Sequence, residues 1–151
     1  MPDVVISDTS CLIILSNIQE LDLLKEVYKN VITTPDIANE FGELLPDWVT
    51  IKSPVDLKQQ NIFELQVDKG EASAIALALE MPGSVLILDD LQARILAEKL
   101  GILITGTLGI IIKAKLNGII PTVKPLLAKI KQTNFRISSA LEEIVLKEAG
   151  E

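Results

Sequence analysis

No histidine occurs anywhere in the 151 residues, and that absence removes a large part of enzyme chemistry. Histidine triads, histidine general bases and the usual zinc ligand sets are all excluded. The one cysteine, Cys11, cannot form an intrachain bridge and suits a reducing compartment. With apolar residues after it and no histidine to activate it, its thiol reads as core. One Trp, one Tyr and three Phe are too few and too scattered for a base-stacking platform. The longest uncharged stretch, residues 100–112, covers 13 positions, whereas a membrane span needs ~20. The first basic residue is Lys25, so no positively charged leader region is expected. Gly101, Gly106 and Gly109 do not form G-x-G-x-x-G, and there is no Walker lysine motif. These absences lead to the expectation of a cytoplasmic protein without a membrane partner. Its chemistry must come from carboxylates, hydroxyls, lysines, one thiol or a bound ion.

What is present is a well-stocked core. Apolar residues make up 48% of the chain and charged residues 23%, which excludes disorder. At 16.5 kDa the length suits one domain, 1–151. The net charge of −7 is unevenly spread: residues 1–98 carry 17 acids and 6 bases, and residues 99–141 carry seven bases and no acid. Such a basic segment could draw a polyanion along one face, or its lysines could be the solvated faces of surface helices.

Short β-branched runs alternate with helical patterns. Strands are expected at 3–7, 31–33, 48–52, 85–88 and 102–104. Helices are expected over 11–17, 21–30, 35–40, 56–65, 68–80, 91–100, 108–116, 122–131 and 139–149, the last opened by a Ser139-x-x-Glu142 capping box. Alternation of this kind implies a three-layer α/β/α domain with a mostly parallel central sheet and C-terminal helices.

Acids fall where strands give way to helices. Asp8 follows the first strand, Glu40 ends the helix after the second, Glu71 opens the alanine-rich helix, and Asp89 and Asp90 follow 85–88. The crevice beyond the carboxyl ends of parallel strands is the usual ligand site of such sheets. Carboxylates gathered there call for a hard cation, Mg²⁺ or Mn²⁺. Each acid alone has a plainer explanation: Asp8 as a helix cap, Asp68-x-x-Glu71 as a capping box, Asp89 and Asp90 as cap and first-turn acid, Glu40 as a solvated residue. The run Val-Leu-Ile-Leu-Asp-Asp at 85–90 is like the start of a phospho-receiver domain, but only 61 residues follow, too few to complete one.

Four segments in order carry a resemblance. Val-Val-Ile-Ser-Asp-Thr-Ser-Cys-Leu-Ile at 4–13 resembles the first strand and aspartate of PIN domains, the fold of VapC-like toxin ribonucleases. Asp-Lys-Gly-Glu-Ala-Ser-Ala-Ile-Ala-Leu-Ala at 68–78 is similar to their second acidic motif, Leu-Asp-Asp-Leu-Gln-Ala-Arg at 88–94 to the third, and Thr-Gly-Thr-Leu-Gly-Ile-Ile at 105–111 to the strand–helix turn that follows. The resemblance covers nearly the whole chain, with about 120–151 as a helical C-terminal extension. It implies metal-dependent hydrolysis of RNA phosphodiesters by a toxin held in check by an antitoxin, in a chain that forms a homodimer or higher homo-oligomer. It implies that Asp8, Glu71 and either Asp89 or Asp90 are metal ligands and that Glu40 belongs to the catalytic acids. Thr9, Ser10 and Thr107 match hydroxyl positions on the same edge, and Lys113, Lys115 and Arg136 are the expected phosphate contacts. The alternative is a PIN-like module that binds RNA or a protein without cutting.

Overall fold

The computed structural model describes residues 3–151. Five short strands, β1 (Val4–Ile6), β2 (Asn30–Thr33), β3 (Val49–Ile51), β4 (Val85–Ile87) and β5 (Ile104–Thr105), form one sheet in the order β3-β2-β1-β4-β5. Every pairing is parallel, with Ile6 opposite both Ile32 and Leu86. Such a sheet must be covered on both faces, which is why the central strands are unbroken apolar runs. Val5, Ile6, Leu86 and Ile87 are fully or almost fully buried.

Helices fill the crossovers: α1 (Thr9–Asn17) and α2 (Leu23–Val27) before β2, α3 (Pro35–Phe41) before β3, α4 (Leu57–Phe63) and α5 (Lys69–Glu80) before β4, and α6 (Leu91–Lys99) before β5. After β5 come α7 (Thr107–Leu116), α8 (Lys124–Lys131) and α9 (Ser139–Glu148). In α5, Ala72, Ala74, Ala76 and Ala78 are buried beside Ile75 and Leu77, so the helix is apolar nearly all round, as a buried helix should be. It packs against α3, α4 and β4, while α2 and α9 pack on α7. The result is the three-layer α/β/α arrangement, with the sheet parallel throughout. No helix among the described residues is long and apolar enough to cross a membrane.

From β1 the chain steps to β2 and then β3 on one side; it later returns to β4 and β5 on the other. The order therefore reverses between β1 and β4, the topological switch point at which a crevice opens beyond the strand ends.

Several boundaries differ from those expected, each for a local reason. The last strand lies at 104–105 because Gly101, in the left-handed region at φ +76°, first turns the chain out of α6. Helix α7 starts at Thr107, one residue early, because the Thr107 amide is anchored by a carboxylate from outside its own helix. Ser138 rather than Ser139 caps α9, accepting from the Leu141 amide, so the third position holds Leu141 and the Ser139–Glu142 box does not form. Glu142 pairs with Lys131 instead. Helix α2 stops at Val27 because Tyr28 is extended.

Candidate active site

Each acid owes its place to the end of an element. Asp8 leaves β1 and caps α1, where its Oδ1 accepts from the Cys11 amide at 2.9 Å. Its Oδ2 accepts from the backbone amide of Asp89 at 3.1 Å, which ties the end of β1 to the end of β4. Asp89 in turn accepts from the Thr107 amide at 2.9 Å and from the Thr107 hydroxyl at 2.6 Å. Asp90 caps α6 through the Ala93 amide at 3.0 Å and is otherwise exposed.

Glu71 sits in the capping box expected for α5: Asp68 accepts from the Glu71 amide at 2.8 Å, and Glu71 accepts from the Asp68 amide at 3.2 Å. The box does not remove Glu71 from the crevice. Glu40, near the end of α3, accepts from the Thr9 hydroxyl at 3.3 Å. It reaches there only because residue 70 is glycine, since a Cβ at Gly70 would lie 1.8 Å from Glu40 Oε1.

Asp8, Glu40, Asp68, Glu71, Asp89 and Asp90 together line one cavity of about 560 Å³, with Thr9 and Ser10 on its rim and no lysine or arginine among its lining residues. The far wall has a different character. Ile13, Ile14 and Asn17 of α1 face Thr133, Asn134 and Phe135 from the loop after α8.

Burial first, and the neighbouring acids second, raise the carboxyls of the crevice. Burial, and then the neighbouring Asp89, push the Asp8 carboxyl up to about 8, against two amide hydrogen bonds that favour its charge. Partial burial and then Asp68 raise Glu71 to about 7. Glu40 is raised as well, by desolvation and then by Asp68. Cys11 is wholly buried beneath Asp8 and Asp89, and burial holds its thiol well above the ordinary range, so it is core and no nucleophile.

Would a metal suit this crevice? The donors are all oxygen, the preference of hard divalent ions, and their negative charge is uncompensated by any lining cation. Among the described residues no three acidic or thiol side chains converge closely enough to encage an ion. Mg²⁺ does not need such a cage, since it commonly binds through one or two carboxylates and keeps several waters. The residues fit in kind and charge, with an open shell.

The other expected contacts lie differently. Thr107 is fully buried and spends its hydroxyl on Asp89, so it positions a carboxylate and does not face a ligand. Lys113 and Lys115 are not brought to the crevice. The Lys113 ammonium lies 4.6 Å from the centre of the Tyr28 ring, and Lys115 donates to the Ala149 carbonyl at 2.8 Å with Glu151 at 3.9 Å. Arg136 is exposed one residue beyond Phe135 and does not itself line the cavity.

Sequence reasoning missed Asp68 as a lining acid, and all of the far wall. Ser10, Ile13, Ile14 and Asn17 follow helical i, i+3, i+4, i+7 spacing, a signal that could have found the α1 part. Nothing in residues 133–135 announces their position, which depends on how α8 folds back.

The family model DUF3368, described as a PIN domain, matches residues 4–151. No curated protein matches the chain at a significant level. An acidic crevice at the switch point of an all-parallel five-stranded sheet and a family match over almost the full length agree: the chain belongs to the PIN-domain family and has a nuclease-type fold.

Proposed function

We propose that this protein is a divalent-metal-dependent endoribonuclease, acting as the toxin of a toxin–antitoxin pair in the cytoplasm. The observation that carries the reading is the crevice of six carboxylates without a lining cation, at the strand ends of a PIN fold. Asp8, Glu71, Asp89 and Asp90 would hold Mg²⁺ or Mn²⁺. When bound, the ion supplies a water acidified toward a neutral-pH nucleophile and offsets charge on the phosphate.

The protein's own groups prepare that site. The Cys11 and Asp89 amides orient the Asp8 carboxylate, and Thr107 holds Asp89 with two hydrogen bonds. Thr9 holds Glu40 over the start of α5. These contacts fix the acids before a ligand arrives, which is what electrostatic preorganisation requires. An antitoxin that filled the crevice would block it, and self-association into a homodimer or larger homo-oligomer accompanies the proposal.

The test is cleavage of RNA by purified protein with Mn²⁺ or Mg²⁺, beside a chelator control and an Asp8→Asn variant. Cleavage by the wild type that chelator and variant both abolish supports the nuclease. Asp8→Asn is expected to fold and to lose at least ~10-fold in Mn²⁺ affinity, about 1.4 kcal/mol, measured by calorimetry. Wild-type Mn²⁺ binding by that variant would overturn the crevice model.

A second reading, a PIN-like module that binds RNA or protein without cutting, is favoured by one observation. Among the described residues no three acids stand close enough to enclose an ion. Normal metal binding without cleavage of any RNA offered would support it.

A further inference from the structure

The acidic crevice has a neighbour. A second concavity of about 510 Å³ shares Asn17, Thr133 and Asn134 with it and continues along the groove between the end of α1 and the end of α8. The two together form one trough whose chemistry changes along its length. At one end every charged group is an acid; at the other stand amides, one ammonium and apolar surface.

The amide end has consistent features. Asn17, Gln132 and Asn134 are exposed, and their side-chain amides make no hydrogen bond to any of the described residues. Each amide presents a donor beside an acceptor, the pattern that matches the edge of a nucleobase. Where the two concavities meet, Ile13 is 39% exposed and Phe135 is half-buried, and both line the crevice. Phe135 is the one aromatic residue among the lining residues of either concavity. Lys129 stands further along, 3.6 Å from Glu20.

Acids that hold a cation suit a phosphate. A phosphate placed there leaves its own nucleotide's base to find a surface, and the adjoining wall offers apolar faces for the ring and free amides for its edge. A base reaches such a wall only when it is unstacked from its neighbours. A duplex keeps its bases inward.

We propose that the far wall of the crevice is a nucleobase subsite, in which Phe135 and Ile13 meet the face of one unpaired base and Asn17 and Asn134 read its edge. The inference rests on the nuclease reading for its phosphate end and deepens it: the C-terminal extension, which supplies residues 133–135, selects the substrate. Lys129 then meets the backbone of the next nucleotide.

The experiment is an abasic scan. Fluorescein-labelled single-stranded RNA hexamers, each with one base removed, are titrated against the full chain with Ca²⁺ in place of a catalytic ion, and Kd is read by anisotropy. The wild type is expected to lose roughly tenfold in affinity at one position, within the range of ~1–3 kcal/mol for a stacked base. The variant Asn17→Ala/Asn134→Ala changes only exposed amides and retains the fold. It is expected to show a flattened scan, and so is Phe135→Leu, which keeps an apolar side chain against the core. A flat scan with wild-type protein, an undiminished loss in both variants, or no binding of the hexamers overturns the subsite. Cleavage run in parallel with Mn²⁺ separates the two readings. Cutting with a flat scan removes the subsite and keeps the nuclease; a position-dependent loss without cutting does the reverse.

Discussion

Thr107 and Gly70 show how much of this site is held by residues that carry no charge. The Thr107 hydroxyl is buried against Asp89, and no other side chain donates to that carboxylate among the described residues. Thr107→Val is expected to cost about 1.5–3 kcal/mol of stability, the range for losing a hydrogen bond to a charged group, and to slow cleavage. Thr107→Ser is expected to restore both. Urea melts beside initial cleavage rates check this, and failure of the serine to rescue would show that packing of the methyl group matters more than the hydroxyl.

Gly70 makes the opposite test. Alanine there must push Glu40 Oε1 aside, since the added carbon would lie 1.8 Å from it. The displaced atom is the tip of a flexible, exposed side chain, and alanine is the better helix former by up to ~1 kcal/mol. Gly70→Ala is therefore expected to leave the thermal midpoint unchanged or raised while cleavage falls. A parallel loss of stability and activity would mean that Ile37, 3.4 Å from the same point, cannot give way.

Among the elements, α7 and α8 changed the meaning of the basic segment. Along the chain, residues 99–141 are a block of positive charge; in the fold, Lys115 meets Glu151, Lys129 meets Glu20, Lys131 meets Glu142 and Lys113 lies over Tyr28. Three of its seven bases are thus answered by acids from the two flanking regions. If Lys113 and Lys115 contacted RNA, removing both would reduce the salt slope of binding by about 1.4, since each phosphate contact to a single strand contributes ~0.7. Their placement on α7 leads to the expectation of an unchanged slope for Lys113→Ala/Lys115→Ala. Affinity measured across a salt series decides it.

The strands and caps were legible beforehand because they rest on local causes: continuous apolar runs, Asp8, Asp68 and Asp90 at cap positions, and Gly101 at a turn. Asp8, Glu40, Glu71, Asp89 and Asp90 were legible for the same reason, as ends of elements. Charge pairing was not, because Lys129 and Glu20 lie far apart in the chain and nothing local records their meeting. The residue that caps α9 was missed by one position, since Ser138 and Ser139 are equally good caps and only the backbone chooses between them.

For the molecule as a whole, the acidic crevice sets a dependence on pH. Burial and the neighbouring acids push Asp8 up to about 8 and Glu71 up to about 7, against ordinary values of 3.8 and 4.5. The native state thus keeps protons that the unfolded chain has released, and linkage makes stability fall as pH rises through that window. Metal-free protein is expected to be most stable at the acid end of pH 4–8 and to lose stability steadily toward the alkaline end. Mn²⁺ takes the place of those protons, so its stabilising shift is expected to grow with pH and to be larger at pH 8 than at pH 5. Thermal melts with and without Mn²⁺ across the range check both statements. An Mn²⁺ shift independent of pH would mean that the ion binds away from Asp8 and Glu71.

The bond between the Asp89 amide and Asp8 joins residues 81 positions apart, on strands that neighbour one another only after the chain has left β1, built two further strands and returned. During synthesis this delay matters. A ribosome that has released only the first half of the chain has exposed Asp8 and Glu40 but neither Asp89 nor Thr107, so the acids cannot yet be organised around a common ligand. Pairing β4 with β1 is a long-range event of the slow kind. On the proposed nuclease reading, cleavage therefore waits until β4 has paired with β1, and a chain that stops short of Thr107 lacks the assembled carboxylates.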